Sequence, residues 1–386
     1  MKHLIVSALV LMFMGCGQPS FDELPLAQMA NTGEPNLSVA DDGTVTLSYL
    51  QQTRGLATLY FRELRGNQWS APKKIAQGED LLVNWADFPT LIDADNQLTA
   101  QWMMRNPAPG FAYDVYTASS TDDGKTWSAP QRLHTDTSAT EHGFVSLYAG
   151  KTGVGAFWLD GQRYAQDDAT DGMELRHKVM GGTGPQVEDV VDALVCDCCQ
   201  TDVAMVAGSP IVVYRDRSEG NIRDISIARQ ENGAWVSTPV AQDGWYITGC
   251  PVNGPAIAGA NGVVAVTWFT AVPVDSVRVA FSFDGGRSFA APVDVSQDSP
   301  VGRVDLVVDA AGNAIVSWLS LAQEGFVYRR VQPSGEMGEI HLVAPMASHR
   351  NAGFPRMVQS SDRLIFAWTD TLADTPTVRA MSMSGG

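Results

Sequence analysis

One short pattern occurs twice in the chain and restricts it to a repeated β-sheet architecture. The two copies are Ser120-Thr121-Asp122-Asp123-Gly124-Lys125-Thr126-Trp127 and Ser282-Phe283-Asp284-Gly285-Gly286-Arg287-Ser288-Phe289, each followed by two small residues and a proline. In each copy an Asp can accept backbone N–H bonds across a tight turn, and a Gly can adopt positive φ. The final aromatic residue can pack the turn onto a sheet. The pattern therefore predicts a β-hairpin that recurs along the chain.

Seven units of similar character follow one another at a spacing of about 50 to 60 residues, which is typical of propeller blades. Their predicted first strands start near Pro35, Phe88, His142, Thr201, Gly254, Val304 and Phe354. The second strands end in aromatic residues that we expect in the core: Tyr49, Trp102, Trp158, Tyr214, Trp268, Trp318 and Trp368. Because most units continue with two further strands, we predict an all-β fold, a β-propeller of seven four-stranded blades, with six blades as the alternative.

The seventh unit contains only three predicted strands, and the missing one is predicted near the N-terminus. The segment Glu23-Leu24-Pro25-Leu26-Ala27-Gln28 has the character of an isolated fourth strand. Pairing it with the last unit would close the ring and remove exposed sheet edges. Residues 16–386 are therefore predicted to form a single propeller domain.

The first residues of the chain predict export. An apolar run from Leu4 to Met14 follows Lys2 and is too short for a membrane span, so residues 1–15 are predicted as a signal peptide. Phe13-Met14-Gly15-Cys16 is similar to a bacterial lipoprotein cleavage box, which implies lipidation of Cys16. Gly17 after the cysteine favours the outer membrane, with the lipid anchor as the sole membrane contact.

The charge of the chain argues against one class of partner. The formal net charge is -17, and no run rich in Lys or Arg interrupts the acidic composition. An acidic surface repels phosphate backbones, so a nucleic-acid partner is not expected. We expect a monomer that stays dispersed because of its charge.

Polar residues concentrate in the loops that precede the first strands and in those between the second and third strands. In a propeller these loops gather at one mouth of the central channel. The predicted ligand-binding residues there are Trp85, Asp160, Arg215, Arg217, Asn253, Arg303, Asp305 and Arg350. Predicted acid, base and nucleophile candidates are Asp87, Glu141, His142 and Tyr246.

The doubled pattern S-x-D-x-G-x-[TS]-[WF] resembles the Asp-box of sialidase-type β-propellers, and the stretches around Cys196, Tyr214, Cys250 and Arg303 resemble bacterial exported proteins described as sialidase-like. The resemblance implies an arginine clasp for a carboxylate, here Arg215 or Arg217 with Arg303 and Arg350. It further implies Tyr246 as nucleophile and Asp87 as acid. The Arg-Ile-Pro motif of sialidases is absent, and no Glu can be paired with Tyr246 from the sequence.

Four cysteines cluster at the start of the fourth and fifth units: Cys196, Cys198, Cys199 and Cys250. An oxidising compartment favours disulfides, for example from Cys196 or Cys199 to Cys250. Alternatively, four thiolates with His142 nearby are soft ligands for copper(I) or zinc. A redox-active vicinal pair is the third alternative.

The sequence thus leaves three functions open. The first is a cell-envelope propeller that binds a glycan or an envelope protein at the channel mouth. The second is a glycoside hydrolase of sialidase-like type acting on anionic sugars, with the carboxyl groups as acid and base. The third is a metal-binding envelope protein that uses the four cysteines.

Overall fold

The computed structural model describes residues 20–108, 110–165, 172–181, 187–218 and 220–384, and these form seven antiparallel sheets. The first strands of successive sheets contact one another around a complete ring. The structure confirms the seven-bladed propeller, and the six-bladed alternative is wrong. The predicted signal peptide and Cys16 lie outside the described residues.

The strands follow one another in blade order, apart from the first. β1 (Phe21–Glu23) belongs to the last blade. Blade 1 contains β2 (Thr32–Val39), β3 (Val45–Thr53), β4 (Leu56–Arg65), β5 (Gln68–Trp69) and β6 (Lys73–Gly78). Blade 2 contains β7 (Thr90–Ala94), β8 (Gln97–Arg105), β9 (Tyr113–Ser120) and β10 (Gln131–Arg132). Blade 3 contains β11 (His142–Gly150), β12 (Gly153–Asp160), β13 (Met173–Val179) and β14 (Asp189–Val195).

The remaining blades have the same plan. Blade 4 contains β15 (Asp202–Val206), β16 (Ser209–Arg215), β17 (Ile225–Glu231) and β18 (Ala234–Pro239). Blade 5 contains β19 (Ala256–Ala260), β20 (Val263–Thr270), β21 (Ser276–Ser282) and β22 (Val293–Ser296). Blade 6 contains β23 (Pro300–Val308), β24 (Ala314–Ser320), β25 (Gly325–Val331) and β26 (His341–Pro345). Blade 7 contains β27 (Arg356–Ser360), β28 (Arg363–Asp370) and β29 (Thr377–Ser384), completed by β1.

The outer position of blade 1 is split, because β5 and β6 both pair with β4. The helical elements among the described residues are two 3-10 turns, Gln162–Ala165 and Arg350–Ala352. No helix in the described part of the chain is long and apolar enough to cross a membrane.

The ring closes through the N-terminal strand, as predicted, although its bounds differ. β1 pairs antiparallel with β29 from Phe21 to Glu23, two residues before the proline at position 25. Leu24 adds one further backbone bond, from its N–H to the carbonyl of Ala380 at 3.0 Å. A proline has no N–H to donate to the ladder, which explains why the strand ends earlier than the sequence suggested.

The aromatic residues that end the second strands form the expected core layer. Their exposed fractions are 2% or less in all seven blades. Each large ring is shared between its own blade and a neighbour, as where Trp318 packs with Val279 and Phe281 of blade 5. Burial of this size stabilises by about 1.5–3 kcal/mol per side chain, so the layer contributes to the stability of the contacts between blades.

The two repeated hairpins have nearly the same geometry. Asp122 Oδ1 accepts the Thr126 N–H at 2.9 Å, and Asp284 Oδ1 accepts the Ser288 N–H at 2.9 Å. In blade 2, the Trp127 ring then meets Phe61 of blade 1 edge to face, with centroids 6.1 Å apart. The hairpin therefore locks its own turn and also fastens one blade to the preceding one.

The direction of the strands assigns the loops to two faces. Because neighbouring strands are antiparallel, the loops that lead into each first strand lie on the same face as the loops between second and third strands. We call this the top face; both repeated hairpins, which join third and fourth strands, lie on the opposite face.

Candidate functional site

The centre of the top face is closed by a small apolar cluster, which we call the plug. Ala86, Phe88 and Phe354 pack together there, with Trp85 and Val252 against them. The channel underneath is small, about 210 Å³. The channel mouth is therefore covered by protein in this structure, and open space on the top face lies beside the plug.

Gln200 ties the plug to the far side of the ring. Its Nε2 donates to the carbonyl of Ala86, and its Oε1 accepts the Gly254 N–H at 3.2 Å. A single side chain of blade 4 thus joins loops that precede blades 2 and 5.

Two of the predicted clasp arginines are buried and bonded to backbone carbonyls. Arg303 is 5% exposed and donates from Nη1 to Gly353 O at 2.8 Å and from Nη2 to Ser348 O at 3.0 Å. Burial lowers its pKa to about 10. Its guanidinium also stacks on Trp85, 5.0 Å from the ring centroid. These contacts place Arg303 beneath the plug.

Arg215 has the same kind of environment on blade 4. It is 2% exposed and donates to the carbonyls of Asn253 and Phe269 at 2.8 Å each and to that of Arg223 at 2.6 Å. Its guanidinium lies 4.7 Å from the centroid of the Trp245 ring. The three carbonyl groups belong to neighbouring segments of blades 4 and 5, so the Arg215 side chain links these segments.

The other two predicted arginines are less buried. Arg217 Nη1 lies 3.3 Å from Asp197 Oδ2, and its Nε donates to Asn221 Oδ1 at 3.1 Å. Arg350 is exposed, and its guanidinium lies 5.8 Å from the centroid of Trp85. The four arginines therefore occupy different surroundings around the ring.

Asp305 and Asn253 bond to the backbone of adjacent blades. Asp305 Oδ2 accepts the Met357 N–H of blade 7 at 2.7 Å. Asn253 Oδ1 accepts the Arg303 N–H at 2.8 Å, and its Nδ2 donates to Val301 O at 3.2 Å. Both residues fix one first strand relative to the next.

The structure brings two predicted carboxyl groups together around a residue that the sequence did not single out. The Tyr113 hydroxyl lies near the carboxyl groups of Asp87 and Glu141, and Asp87 Oδ2 has no hydrogen-bond partner among the described residues. Asp87 is 1% exposed, and burial raises its pKa to about 7 although its Oδ1 accepts the Phe144 N–H at 2.9 Å. Burial also raises the pKa of Glu141. Gly143 makes this packing feasible, because a Cβ there would stand 1.9 Å from Asp87 Oδ2.

His142 is fully buried between blades 2 and 3. Its Nε2 lies 3.0 Å from Asp136 Oδ2 and 3.6 Å from Asp160 Oδ1. Its ring stacks on that of His134 at a centroid distance of 3.8 Å. Burial, followed by the charge of His142, lowers the pKa of His134 to about 3. Asp160 also accepts a 2.9 Å bond from Trp158 Nε1, which joins this network to the core layer.

Tyr246 lies away from this network. It is 61% exposed and forms an isolated bridge with Ile222 in the loop of blade 4. Among the described residues, the contacts that join Asp87, Tyr113 and Glu141 do not include Tyr246.

The four predicted cysteines form one cluster, which we call the cysteine centre. The Sγ atoms of Cys196, Cys198 and Cys199 all lie within 4.8 Å of one another, and those of Cys196 and Cys199 are 3.0 Å apart. Cys198 also contacts Cys250 from the next blade. All four are free thiols in the structure, and Cys250 interacts mainly with Cys198, with Cys196 also nearby.

The surroundings of the cysteine centre are cationic. Burial opposes ionisation of Cys196, but hydrogen bonds from Cys198 and Cys199 and the charges of Arg215 and Arg223 together lower its pKa well below the usual value. Arg223 is 3% exposed and contacts Cys196, and its Nε and Nη1 have no hydrogen-bond partner among the described residues.

A cleft of about 660 Å³ lies on the top face between blades 7, 1 and 2. We call it the blade 1 cleft. Aromatic and polar side chains line it, including Trp85, Phe111, Glu34, Glu79 and Arg105. Phe111 is 59% exposed and leans edge to face on Tyr113. Of these residues, Trp85 is a ligand-binding residue predicted from the sequence.

Glu34 is the distinctive group of the blade 1 cleft. It is half-buried, and burial raises the pKa of its carboxyl group to about 7. No ion pair or hydrogen bond of this carboxyl group occurs among the described residues. A β-bulge of β2 between Gly33 and Asn36 positions it, with φ of 51° at Glu34.

Comparison with known proteins supports the fold and leaves the chemistry open. No family model matches the sequence, and no curated protein matches it. Among solved structures, a protein of unknown function from Dyadobacter fermentans is 13% identical, with a TM-score of 0.56 over 97% of this chain and 100% of that one. An alpha-L-arabinofuranosidase from Fusarium graminearum is 15% identical, with a TM-score of 0.54 over 95% and 98% of the two chains.

A sialidase is also similar. The Trypanosoma rangeli sialidase in complex with sialic acid is 10% identical, with a TM-score of 0.50 over 94% of this chain and 59% of that one. At these identities the likeness establishes a sialidase-like propeller fold.

Proposed function

We propose that this protein binds a glycan in the blade 1 cleft. The observation that carries the proposal is the Glu34 carboxyl group, which lines a cleft of about 660 Å³ and has no partner among the described residues. A carboxyl group that lines a cleft and is not engaged by the protein is available to form hydrogen bonds with a ligand there. A cleft of this volume falls in the usual range for small-molecule sites.

The lining of the cleft suits sugars. Asn31, Asn84 and Asn351 place amide groups around its rim, and amides can both donate to and accept from sugar hydroxyls. Trp85 and Phe111 add apolar ring surface against which the C–H face of a sugar can pack.

The charge distribution favours a neutral glycan. Glu34 and Glu79 face the cleft, with Arg105 as its lining cation, and the whole chain carries a net charge of -17. Arg303, which an anionic sugar would need for a clasp, donates to carbonyls beneath the plug. Two acidic side chains against one lining cation therefore disfavour an anionic ligand in this cleft.

Hydrolysis of the bound glycan is a second candidate function, and the raised pKa of Glu34 favours it. A carboxyl group with a pKa of about 7 remains partly protonated at neutral pH and can act as a general acid. Glu79 supplies a second carboxyl group on the same cleft, as glycoside hydrolysis requires. The similar structures include glycoside hydrolases, which guides the choice of substrates below.

The test is a titration of the purified chain with arabino-, xylo- and cello-oligosaccharides and with sialyllactose, measuring both affinity and released sugar. Phe111→Ala should weaken binding of the neutral oligosaccharides by about 10-fold, since one aromatic contact is lost. Phe283→Ala is the matched control, because Phe283 is 62% exposed in a hairpin on the opposite face. Glu34→Gln should retain measurable binding and abolish any hydrolysis.

Three results would count against this account. If Phe111→Ala and Phe283→Ala bind the neutral oligosaccharides with equal affinity, the ligand does not bind in the blade 1 cleft. Preference for sialyllactose would favour an anionic sugar over a neutral one. Unchanged turnover in Glu34→Gln would exclude Glu34 as the acid while leaving binding intact.

A further inference from the structure

We propose that the cysteine centre binds a single copper(I) ion through the thiolates of Cys196, Cys198 and Cys199, with Cys250 as the point of access. This site is separate from the blade 1 cleft and independent of the glycan proposal. Three sulfur atoms from one short loop already lie within 4.8 Å of one another. The fold brings a fourth sulfur to Cys198 from a loop about one blade further along the chain.

The distances suit a trigonal site. Metal–sulfur bonds of about 2.3 Å place three sulfurs about 4 Å apart around one ion. The three Sγ atoms lie within 4.8 Å, and the Cys196–Cys199 pair at 3.0 Å has to widen by about 1 Å. The loop thus needs a small side-chain adjustment to receive the ion.

The environment of Arg223 indicates that the cysteine centre carries negative charge when it is functional. Its side chain is 3% exposed, it contacts Cys196, and its Nε and Nη1 have no acceptor in the described part of the chain. Buried N–H groups of a guanidinium that lack an acceptor are costly. Two disulfides would leave this cation beside neutral sulfur, whereas thiolates bound to a monovalent ion retain negative charge for it to balance.

The ligand number favours copper(I) over zinc. Thiolates are soft ligands that suit both ions. Structural zinc sites are almost always tetrahedral with four ligands. Within the described ranges the sulfurs of Cys196, Cys198 and Cys199 are mutually close, and that of Cys250 is not part of this group. Copper(I) is satisfied by two or three thiolates, so the compact three-sulfur set fits it without Cys250.

Charge and protons balance without a redox step. The ion arrives as copper(I), each thiol that binds releases its proton to water, and no sulfur changes oxidation state. Three thiolates and one copper(I) carry a net charge of -2. Arg215 and Arg223, the two guanidinium groups whose charges act on Cys196, supply +2.

The burial of the four sulfurs suggests a route of access. Cys250 is exposed, Cys198 is half-buried, and Cys196 and Cys199 are 1% and 2% exposed. An ion can therefore meet Cys250 first, pass to Cys198 by ligand exchange and settle on the buried pair. Loss of Cys250 should slow loading more than it weakens the final complex.

The test is an anaerobic titration of the reduced full chain with copper(I) in competition with bathocuproine disulfonate, followed by X-ray absorption. We expect one equivalent per chain and sulfur ligands alone. Cys198→Ser should lower the affinity at least 100-fold, and Cys250→Ser should lower it less than 10-fold while slowing uptake. Arg223→Met should lower the affinity by about 10-fold, since it removes a balancing charge.

Controls separate copper(I) binding from a folding defect, from disulfide formation and from zinc binding. Thr248→Ala changes an exposed residue two positions before Cys250 and should leave affinity and uptake unchanged. Circular dichroism and melting of each variant verify its fold. Three results would each overturn the proposal. The first is a protein that, isolated without reductant, contains two disulfides and does not bind copper(I). The others are tighter binding of zinc through four sulfurs, and unchanged copper(I) affinity in a folded Cys198→Ser variant.

Discussion

At the scale of single residues, one backbone position carries three different tasks around the ring. Glu34, Phe144 and Arg303 each follow a glycine in a β-bulge of a first strand, with φ of 51°, 54° and 55°. Left-handed φ at non-glycine residues costs free energy and is tolerated where the surrounding structure determines it. Phe144 packs into the core, Arg303 bonds to carbonyls, and Glu34 faces a cleft, so the side chain alone decides the role.

The raised pKa of Glu34 gives a pH-dependent stability. Its usual pKa of 4.5 rises to about 7 on folding, so ionisation opposes the folded state and the wild type loses stability as the pH rises from 4.5 through about 7. Glu34→Gln should equal the wild type at pH 4 and exceed it by about 1–2 kcal/mol at pH 8.5, after allowance for solvent screening of a half-buried group. Urea unfolding at both pH values measures the difference. A gain of equal size at both values would contradict the assignment.

At the scale of elements, the repeated hairpin is a fastener between blades. Gly124 has φ of 74°, and a Cβ there would stand 2.5 Å from Phe61 of blade 1. The turn is thus restricted in two ways, by its backbone conformation and by the ring beneath it. The Asp122 carboxylate, which accepts bonds from Ser120 and Thr126, secures the same turn from outside.

Two glycine substitutions separate these restrictions. Gly66→Ala introduces a Cβ at φ of 60° with nothing within 4 Å, and it should cost about 1 kcal/mol for conformation alone. Gly124→Ala should cost about 2–4 kcal/mol, because the Phe61 ring has to move as well. Equilibrium unfolding in urea compares the two variants. Similar losses would show that the hairpin does not press on blade 1.

At the scale of the whole molecule, the fold was predictable and the site was not. Each blade is specified by local alternation of apolar and polar residues, a turn and a buried aromatic residue. Seven copies of this pattern can therefore be recognised in the sequence. The role of Arg303 depends on carbonyls of Ser348 and Gly353, more than 40 residues away. No local pattern marks such partners, and for the same reason the sequence did not distinguish Glu34, Tyr113 or Arg223. The glycine before Glu34 was the available signal.

The contacts between cysteines differ in the same way in how far they can be predicted from the sequence. Cys196, Cys198 and Cys199 lie within four consecutive positions, so their grouping was expected from the sequence. The meeting of Cys250 with Cys198 depends on how blades 4 and 5 pack. Three of the four sulfurs lie close together in the structure, whereas the position of Cys250 relative to them required the assembled ring.

The central claim is that the ligand lies in the blade 1 cleft beside a closed channel mouth. Hydrogen–deuterium exchange with and without a saturating concentration of the tightest-binding neutral oligosaccharide tests this most directly. We predict slower exchange in residues 31–34, 79–85, 105–108 and 110–113, which line the cleft or lie beside its lining residues, and no change in residues 196–202. Protection confined to residues 196–202, or no protection anywhere at saturation, would contradict the account.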